Sequence, residues 1–164
     1  MDALHERALA YLRDHHVMTL ATRGEEGIWA SAVFYVNDSF TLYFLSSPAS
    51  RHSQNFAVDG RLAVTIQEDC ADWPQIKGVQ AEGGVTEISG DEERHARALY
   101  GDKYPVVGKL ARAPAAIVKA MAKVRWYRFA PERLYFIDNS VGFGHRDEID
   151  CRALTTVQAP AAGR

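Results

Sequence analysis

Apolar and polar residues alternate most regularly between residues 29 and 45. From 29 to 36 the side chains follow the period of a β-strand, with apolar residues on both faces. The turn formers Asn37, Asp38 and Ser39 come next, and a second run rich in aromatic residues occupies 40–45. The pattern predicts a long, buried β-hairpin.

Similar patterns predict the other elements. Alternating runs predict strands at 17–22, 61–67, 76–88, 124–130 and 133–138, the last two joined by a turn at Pro131 and Glu132. Gly83 and Gly84 interrupt the longest run and predict a bulge or sharp bend. Helical spacing of apolar residues predicts helices at 3–14, 50–58 and 106–122, and a further helix that opens at Ser89 with Glu92 at capping-box spacing.

This order of elements predicts the fold class. About seven strands follow one another mostly as hairpins, with helices at the start, in the middle and before the last hairpin. We therefore expect a mainly β protein, an antiparallel β-barrel of six to seven strands with α-helices added to it. Residues 1–150 would form one domain. Residues 151–164, which are rich in alanine from 155 onward and lack aromatic residues, would form a flexible C-terminal tail.

Composition narrows the class of protein. The 164 residues are 47% hydrophobic, which is enough for one domain with its own core. A net charge of −2 argues against nucleic-acid binding, and no apolar run reaches membrane-spanning length. Cys70 and Cys151 match neither a disulfide framework nor a zinc pattern, and no metal site is expected. We expect a cytoplasmic protein that binds neither nucleic acid nor membrane.

The chemistry of the chain is concentrated after the predicted hairpin. Ser46, Ser47 and Ser50 lead into Arg51 and His52 at the start of a predicted helix that Ser50 could cap. Hydroxyl groups, a guanidinium and a helix N-terminus at the end of a strand form a suitable seat for a phosphate group.

Four motifs, in this order, carry a resemblance to a known family: WASAVFYV, LYFLSSPASRHSQN, IKGVQAEG and LYFIDNSVGFGHR. The chain resembles the pyridoxamine 5'-phosphate oxidase-like FMN-binding split barrels over residues 4 to 150, and within them the YhbP-type branch. The resemblance implies a split β-barrel and a homodimer in which each flavin lies between the two subunits. It also implies an oxidoreductase or reductase that acts on a small molecule.

The family's flavin contacts can be carried over position by position. Those near the flavin ring would be Ser31, Ala32 and Val33, with Lys77 or Gln80 reaching it from a later strand. Lys77 would be the proton donor. The phosphate would be held by Ser46, Ser47, Arg51 and His52. Phe143, His145 and Arg146 occupy a place similar to that of the oxidase's substrate motif and would contact the substrate or the other subunit. That motif is not reproduced, so the pyridoxamine 5'-phosphate oxidase reaction itself is not expected.

Two other functions stay open at this point. The chain could be a non-catalytic binding module that holds haem, a deazaflavin or a flavin without turnover, with His52 or His145 as the axial haem ligand. It could instead be a structural dimer whose cofactor groove has decayed, with the acidic loop at 68–73 serving as a partner surface.

Overall fold

A computed structural model describes residues 2–105, 114–115, 119 and 121–151. It contains three α-helices and seven β-strands in those residues. In chain order they are α1 (Ala3–Asp14), β1 (Val17–Gly24), β2 (Gly27–Asp38), β3 (Thr41–Ser46), α2 (Arg51–Val58), β4 (Arg61–Gln67), β5 (Lys77–Ile88), α3 (Gly90–Lys103), β6 (Arg125–Asp138) and β7 (Arg146–Ile149), with a short 3-10 helix at Trp73–Gln75.

All strand pairs are antiparallel, and six of the strands close into a barrel. The order along the sheet is β3-β2-β1-β4-β5-β6-β7, and β3 also pairs with β6. The strand β7 adds to the outer end of β6, beyond the residues that pair with β3. The sequence prediction of a mainly β, antiparallel split barrel with helices is therefore confirmed.

The helices cover the barrel at different places. Along one face of α1, Ala8, Leu9, Tyr11 and Leu12 are buried against the main core. The hydroxyl of Tyr11 donates to the Lys77 carbonyl oxygen at 3.0 Å, which fixes this helix across one end of the barrel. The helix α3 covers a second, smaller core with Ala96 and Tyr100, which pack near Trp126.

The predicted irregularity of the fifth strand is confirmed and has a steric cause. The register between β5 and β6 shifts between Glu82 and Gly83. A Cβ atom on Gly83 would lie 2.1 Å from the Ala130 carbonyl oxygen, whereas one on Gly84 would meet nothing within 4 Å. The bulge therefore requires a glycine at the first of the two positions.

Three details of the prediction were wrong. The expected turn at Pro131 and Glu132 does not interrupt the sheet, because Glu132 is the extra residue of a bulge in β6 opposite Glu82 and Gly83, and β6 continues through both residues. Residues 146–149 form β7, where the sequence pattern predicted no strand. The side chain of Ser89 makes no capping hydrogen bond, and Glu92 instead accepts one from Arg128 at 3.0 Å.

Two other predictions concern residues that are not described. The predicted helix at 106–122 lies almost entirely outside the described residues, and so does the predicted tail from residue 152 onward.

Candidate functional site

The long hairpin contains a strand edge that no described strand covers. Along one side, β2 pairs with β1 from Gly27 to Phe34. Along its other side, it pairs with β3 only from Tyr35 to Asp38. Over residues 27–34 the second edge of β2 is therefore unpaired within the described part of the chain. Such an edge presents backbone N–H donors and carbonyl acceptors.

At this open edge, three serine hydroxyls converge on His52. The Ser31 Oγ lies 3.0 Å from Nδ1 of His52. On the other side of the ring, Nε2 lies 2.5 Å from Ser46 Oγ and 3.0 Å from Ser50 Oγ. Burial lowers the pKa of His52, so the imidazole is neutral at neutral pH. Hydroxyl groups can donate or accept, so the cluster can satisfy either charge state of the ring.

These residues meet because α2 begins immediately after β3. As predicted, Ser50 is the N-cap of α2, and its side chain accepts a hydrogen bond from the Ser53 backbone N–H. Its hydroxyl donates to the Ser47 carbonyl oxygen at 2.8 Å. The tight turn brings Ser46, at the end of β3, next to the first turn of the helix. Ser47 contributes backbone to this turn, and its hydroxyl accepts from the Ala49 N–H at 3.3 Å.

Arg51 lies beside the cluster and points away from it. Its guanidinium covers the ring of Trp29 at 4.5 Å. Nη2 donates to the Glu26 carbonyl oxygen at 3.0 Å, and Nε lies 3.6 Å from a carboxylate oxygen of the same residue. Nε is buried and has no hydrogen-bond acceptor among the described residues. A pocket of about 400 Å³ opens beside this side chain, between the β1–β2 loop and α2.

The predicted ring contacts lie on different faces of the barrel. Ser31 and Val33 are opposite the buried residues Leu20 and Met18 and are half-buried, whereas Ala32 points outward. The Lys77 ammonium lies 4.0 Å from Asp138 at the barrel end covered by α1. Gln80 is exposed on the outer face, so the two β5 residues diverge, as their spacing in a strand predicts.

The third predicted group is spread over a loop and the start of β7. The exposed ring of Phe143 stacks on Trp73, with centroids 5.4 Å apart. His145 Nε2 lies 2.8 Å from Asp147. The guanidinium of Arg146 lies over the ring of Tyr135, at 5.7 Å from its centroid, on the outer face of the sheet. The structure does not bring these three residues into contact with the His52 cluster.

Sequence reasoning missed two contributors to the site. Trp29, in the first strand of the predicted hairpin, is 41% exposed and its ring contacts the Arg51 guanidinium. Glu26, in the loop between β1 and β2, supplies the acceptors that hold the guanidinium. No spacing signal links Glu26 to Arg51, because 25 residues separate them and only the packing of α2 against the first hairpin brings them together.

Comparison with known proteins gives a consistent assignment. The family model described as pyridoxamine 5'-phosphate oxidase matches residues 4–138. A UPF0306 protein of Klebsiella pneumoniae is 31% identical over 138 residues, which cover 83% of this chain and 86% of that protein.

No described helix has the length and apolar character needed to span a membrane.

Two of the similar solved structures are of proteins named for binding or storing haem. A heme binding protein from Mycobacterium smegmatis superposes with a TM-score of 0.73 at 23% identity. The match covers 93% of this chain and 60% of that one, so this chain spans less than two thirds of that neighbour. HutZ, a haem storage protein from Vibrio cholerae, superposes with a TM-score of 0.64 at 19% identity, over 85% of this chain and 95% of HutZ. At these identities the likeness establishes the fold alone.

Proposed function

This chain belongs to the pyridoxamine 5'-phosphate oxidase family, and from that premise we propose that it is an FMN-binding flavoprotein that reduces or oxidises a small molecule. Its UPF0306 relatives agree with the predicted YhbP-type branch. The observation that carries the proposal is the junction of the unpaired β2 edge with the start of α2. There, three serine hydroxyls contact His52, and Arg51 occupies the neighbouring position in the first turn of α2.

The phosphate group of FMN fits the donors at this junction. Arg51 Nε is a buried donor without an acceptor, and a phosphate oxygen would satisfy it. The guanidinium would then turn from Trp29 and Glu26 toward the His52 cluster, where His52 and the Ser46 hydroxyl would supply further donors. The Ser50 hydroxyl already donates to the Ser47 carbonyl oxygen. Glu26 is paired with Arg51 in the structure, but the Glu26 side chain is 79% exposed and can rotate toward the solvent when an anion binds.

The flavin ring would use the β2 edge. The pyrimidine side of the ring carries both donors and acceptors, and an unpaired strand edge carries the matching groups. Tyr35 directs its N–H at the His16 carbonyl oxygen, and Ser31 and Val33 share its alternation, so their backbone groups face β1. The backbone groups of Ala32 therefore face the open edge and would bind the ring. Ala32 points outward and would present a small surface to the ring. Lys77 is engaged with Asp138 in this structure and does not lie on the outer face with Gln80.

In this proposal the protein holds and orients the cofactor. When bound, FMN supplies transfer of hydride or single electrons at its ring. Arg51 neutralises phosphate charge and fixes one end of the molecule. His52, which is neutral in the free protein, can take up a proton at Nδ1 or Nε2 and so match the charge of a phosphate dianion.

We also propose that the protein is a homodimer. Ile28 is 80% exposed and Phe34 is 54% exposed on the outer face of β2, with the exposed Ala30 and Ala32 between them. Val17, at 41% exposed, is paired with Phe34 and extends this stripe onto β1. A continuous apolar stripe of this kind is typical of a protein–protein contact. A second copy of the chain is the partner that the family resemblance implies.

An absorbance spectrum of the purified protein, followed by titration with FMN, tests the proposed function. We expect saturable binding with quenched flavin fluorescence. Haem is the alternative outcome, and a Soret band after addition of haemin with no response to FMN would replace the proposal. The structure favours flavin over haem here, because both ring nitrogens of His52 contact hydroxyls and Nε2 of His145 contacts Asp147.

A further inference from the structure

A buried hydrogen-bond chain joins α2 to the first hairpin beneath the proposed phosphate site. Asn55 is 7% exposed and Thr22 is 3% exposed, and Nδ2 of Asn55 donates to Thr22 Oγ1 at 3.0 Å. The Thr22 hydroxyl donates in turn to the Trp29 carbonyl oxygen at 3.3 Å. Two hydrogen bonds that share one buried hydroxyl therefore connect three elements, α2, β1 and β2.

The end of β1 packs closely against the same asparagine. A Cβ atom on Gly24, the last residue of β1, would lie 2.0 Å from Oδ1 of Asn55 and 2.7 Å from its Cγ. Only a glycine lets the strand approach the helix this closely at that point. The Asn55 side chain therefore has little freedom to move, and it fixes how closely α2 approaches the hairpin.

Apolar packing alone would not fix this arrangement. The neighbouring apolar residues, such as Phe56 on α2 and Leu20 on β1, belong to the main core. Apolar contacts have no preferred direction, so they tolerate a small shift of the helix along the strand. Hydrogen bonds are directional, and a buried amide that loses its partner is costly. The bond between Asn55 and Thr22 therefore favours one position of α2 along β1.

This position determines the geometry of the proposed phosphate site. Asn55 lies one helical turn beyond Arg51. In the free protein, the Arg51 guanidinium lies 4.5 Å from the ring of Trp29, whose carbonyl oxygen accepts the second hydrogen bond. Ser31, two residues further along the same side of β2, contacts His52. Both contacts cross from α2 to β2, so a shift of the helix would change them together.

We propose that Asn55 and Thr22 are positioning residues of the flavin site. They set the distance between the first turn of α2 and the open edge of β2, so that Arg51 and His52 reach a phosphate group whose flavin ring lies on that edge. This inference rests on the proposed function. It requires no contact between either positioning residue and the ligand, and it confines their effect to the phosphate end of FMN.

Thr22→Val tests the inference, because valine has nearly the shape of threonine and lacks the hydroxyl that makes both hydrogen bonds. Thr65→Val is the matched control, since Thr65 is on β4 and its hydroxyl contacts Gln67. FMN and riboflavin, which lacks the phosphate group, are titrated into both variants by fluorescence. We expect Thr22→Val to raise the Kd for FMN about tenfold and to leave that for riboflavin unchanged. Thr65→Val should change neither.

Three further variants separate positioning from a general loss of stability. Thr22→Ser retains the hydroxyl and should bind FMN as the wild type does. Asn55→Ala removes the other partner of the bond and should reproduce the loss seen in Thr22→Val. The double variant of Thr22→Val with Arg51→Gln should lose clearly less FMN affinity than the sum of the two single losses, because both act on the same phosphate contact. Circular dichroism checks the folding of each variant.

The outcomes distinguish the inference from the proposed function. Wild-type FMN affinity in Thr22→Val and Asn55→Ala would overturn the inference and leave the proposed function standing. Equal losses for FMN and riboflavin, or fully additive losses in the double variant, would also overturn it, because they would show a structural role alone. Failure of the wild-type protein to bind FMN would overturn the proposed function and this inference with it.

Discussion

Replacing Arg51 by glutamine tests the proposed phosphate site most directly. The side chain is one third exposed, lies on Trp29 and has a buried Nε without an acceptor. The substitution removes the positive charge and shortens the side chain, while the capping residue and the His52 cluster are unaltered. We therefore expect a specific loss of affinity for the phosphate group and a helix that still begins at its usual residue.

The size of the effect follows from two terms. A hydrogen bond to a charged group contributes about 1.5–3 kcal/mol. Binding of phosphate must first displace Glu26, and an exposed ion pair of this kind contributes about 0.2–1 kcal/mol. The net loss in Arg51→Gln is thus about 0.5–2.8 kcal/mol, which corresponds to an increase in Kd for FMN of about 2- to 110-fold.

Riboflavin supplies the matched ligand, because it has the ring of FMN without the phosphate. Fluorescence titration of both ligands should show that Arg51→Gln weakens FMN and leaves riboflavin unchanged. The companion variant Glu26→Gln should tighten FMN about two- to fivefold, since it removes the competing carboxylate. An equal loss for both ligands in Arg51→Gln would refute the reasoning, because it would mean that the arginine acts on the ring or on the fold and not on the phosphate.

Other parts of the structure give further predictions. Gly83→Ala should lower the free energy of unfolding by about 1–3 kcal/mol in urea denaturation, because the new methyl group meets backbone, whereas Gly84→Ala should cost less than half as much. Phe34→Glu should convert the proposed dimer into a monomer in light scattering; an unchanged mass would contradict the proposed interface. Burial lowers the pKa of His52, and a bound phosphate should raise it. FMN affinity should therefore fall by up to tenfold per pH unit as the pH rises between the two pKa values. Calorimetry in two buffers should detect the proton uptake on binding, and His52→Gln should abolish this uptake. Burial alone would raise the pKa of Asp138, but hydrogen bonds and nearby cations outweigh burial and hold the pKa below 3.8. The ionised Asp138 should therefore stabilise the fold above pH 3.8, and this stabilisation should be lost as the pH falls further. In Asp138→Asn, acid unfolding should lack this pH-dependent loss of stability.

Local pattern predicted most of the strands, because alternation and turn residues act over short distances. The end of α2 and the bulge at Gly83 were read correctly from propensity alone. The errors arose where contacts with residues distant in sequence determine the local structure. Pro131 lies within a strand because it pairs with Gly83 of β5, next to the bulge at Glu132. Glu92 does not form the predicted capping box, because Arg128 on another element binds it. No local rule contains that information.

The candidate site was likewise predictable only where its residues are close together in sequence. The residues that are close together in sequence, Ser46, Ser50 and His52, also meet in space, because a tight turn and a helix cap fix their geometry. Ser31 was named through the family resemblance, and only the packing of α2 shows which His52 nitrogen it contacts. The outer surface of the sheet could not be predicted from local pattern. It depends on the register of the strands, and a shift of one residue would turn its side chains toward the core.

The open edge at the site is a consequence of unequal strand lengths within one hairpin. The strand β2 has 12 residues and β3 has only 6, so the first half of β2 extends beyond its partner. Pro48 and the N-cap residue Ser50 follow directly after β3 and commit the chain to a helix, which prevents β3 from continuing along that edge. The first turn of α2 therefore lies next to the β2 edge at Ser31, which brings His52 to Ser31. The residues that end β3 thus come directly before the residues of the proposed phosphate site, so the open edge and that site have one origin in the sequence. Replacing Pro48 and Ser50 with valine should lengthen β3, extend its pairing with β2, cover the open edge and remove FMN binding. Retention of full FMN affinity in that variant would show that the flavin ring does not lie at the open edge.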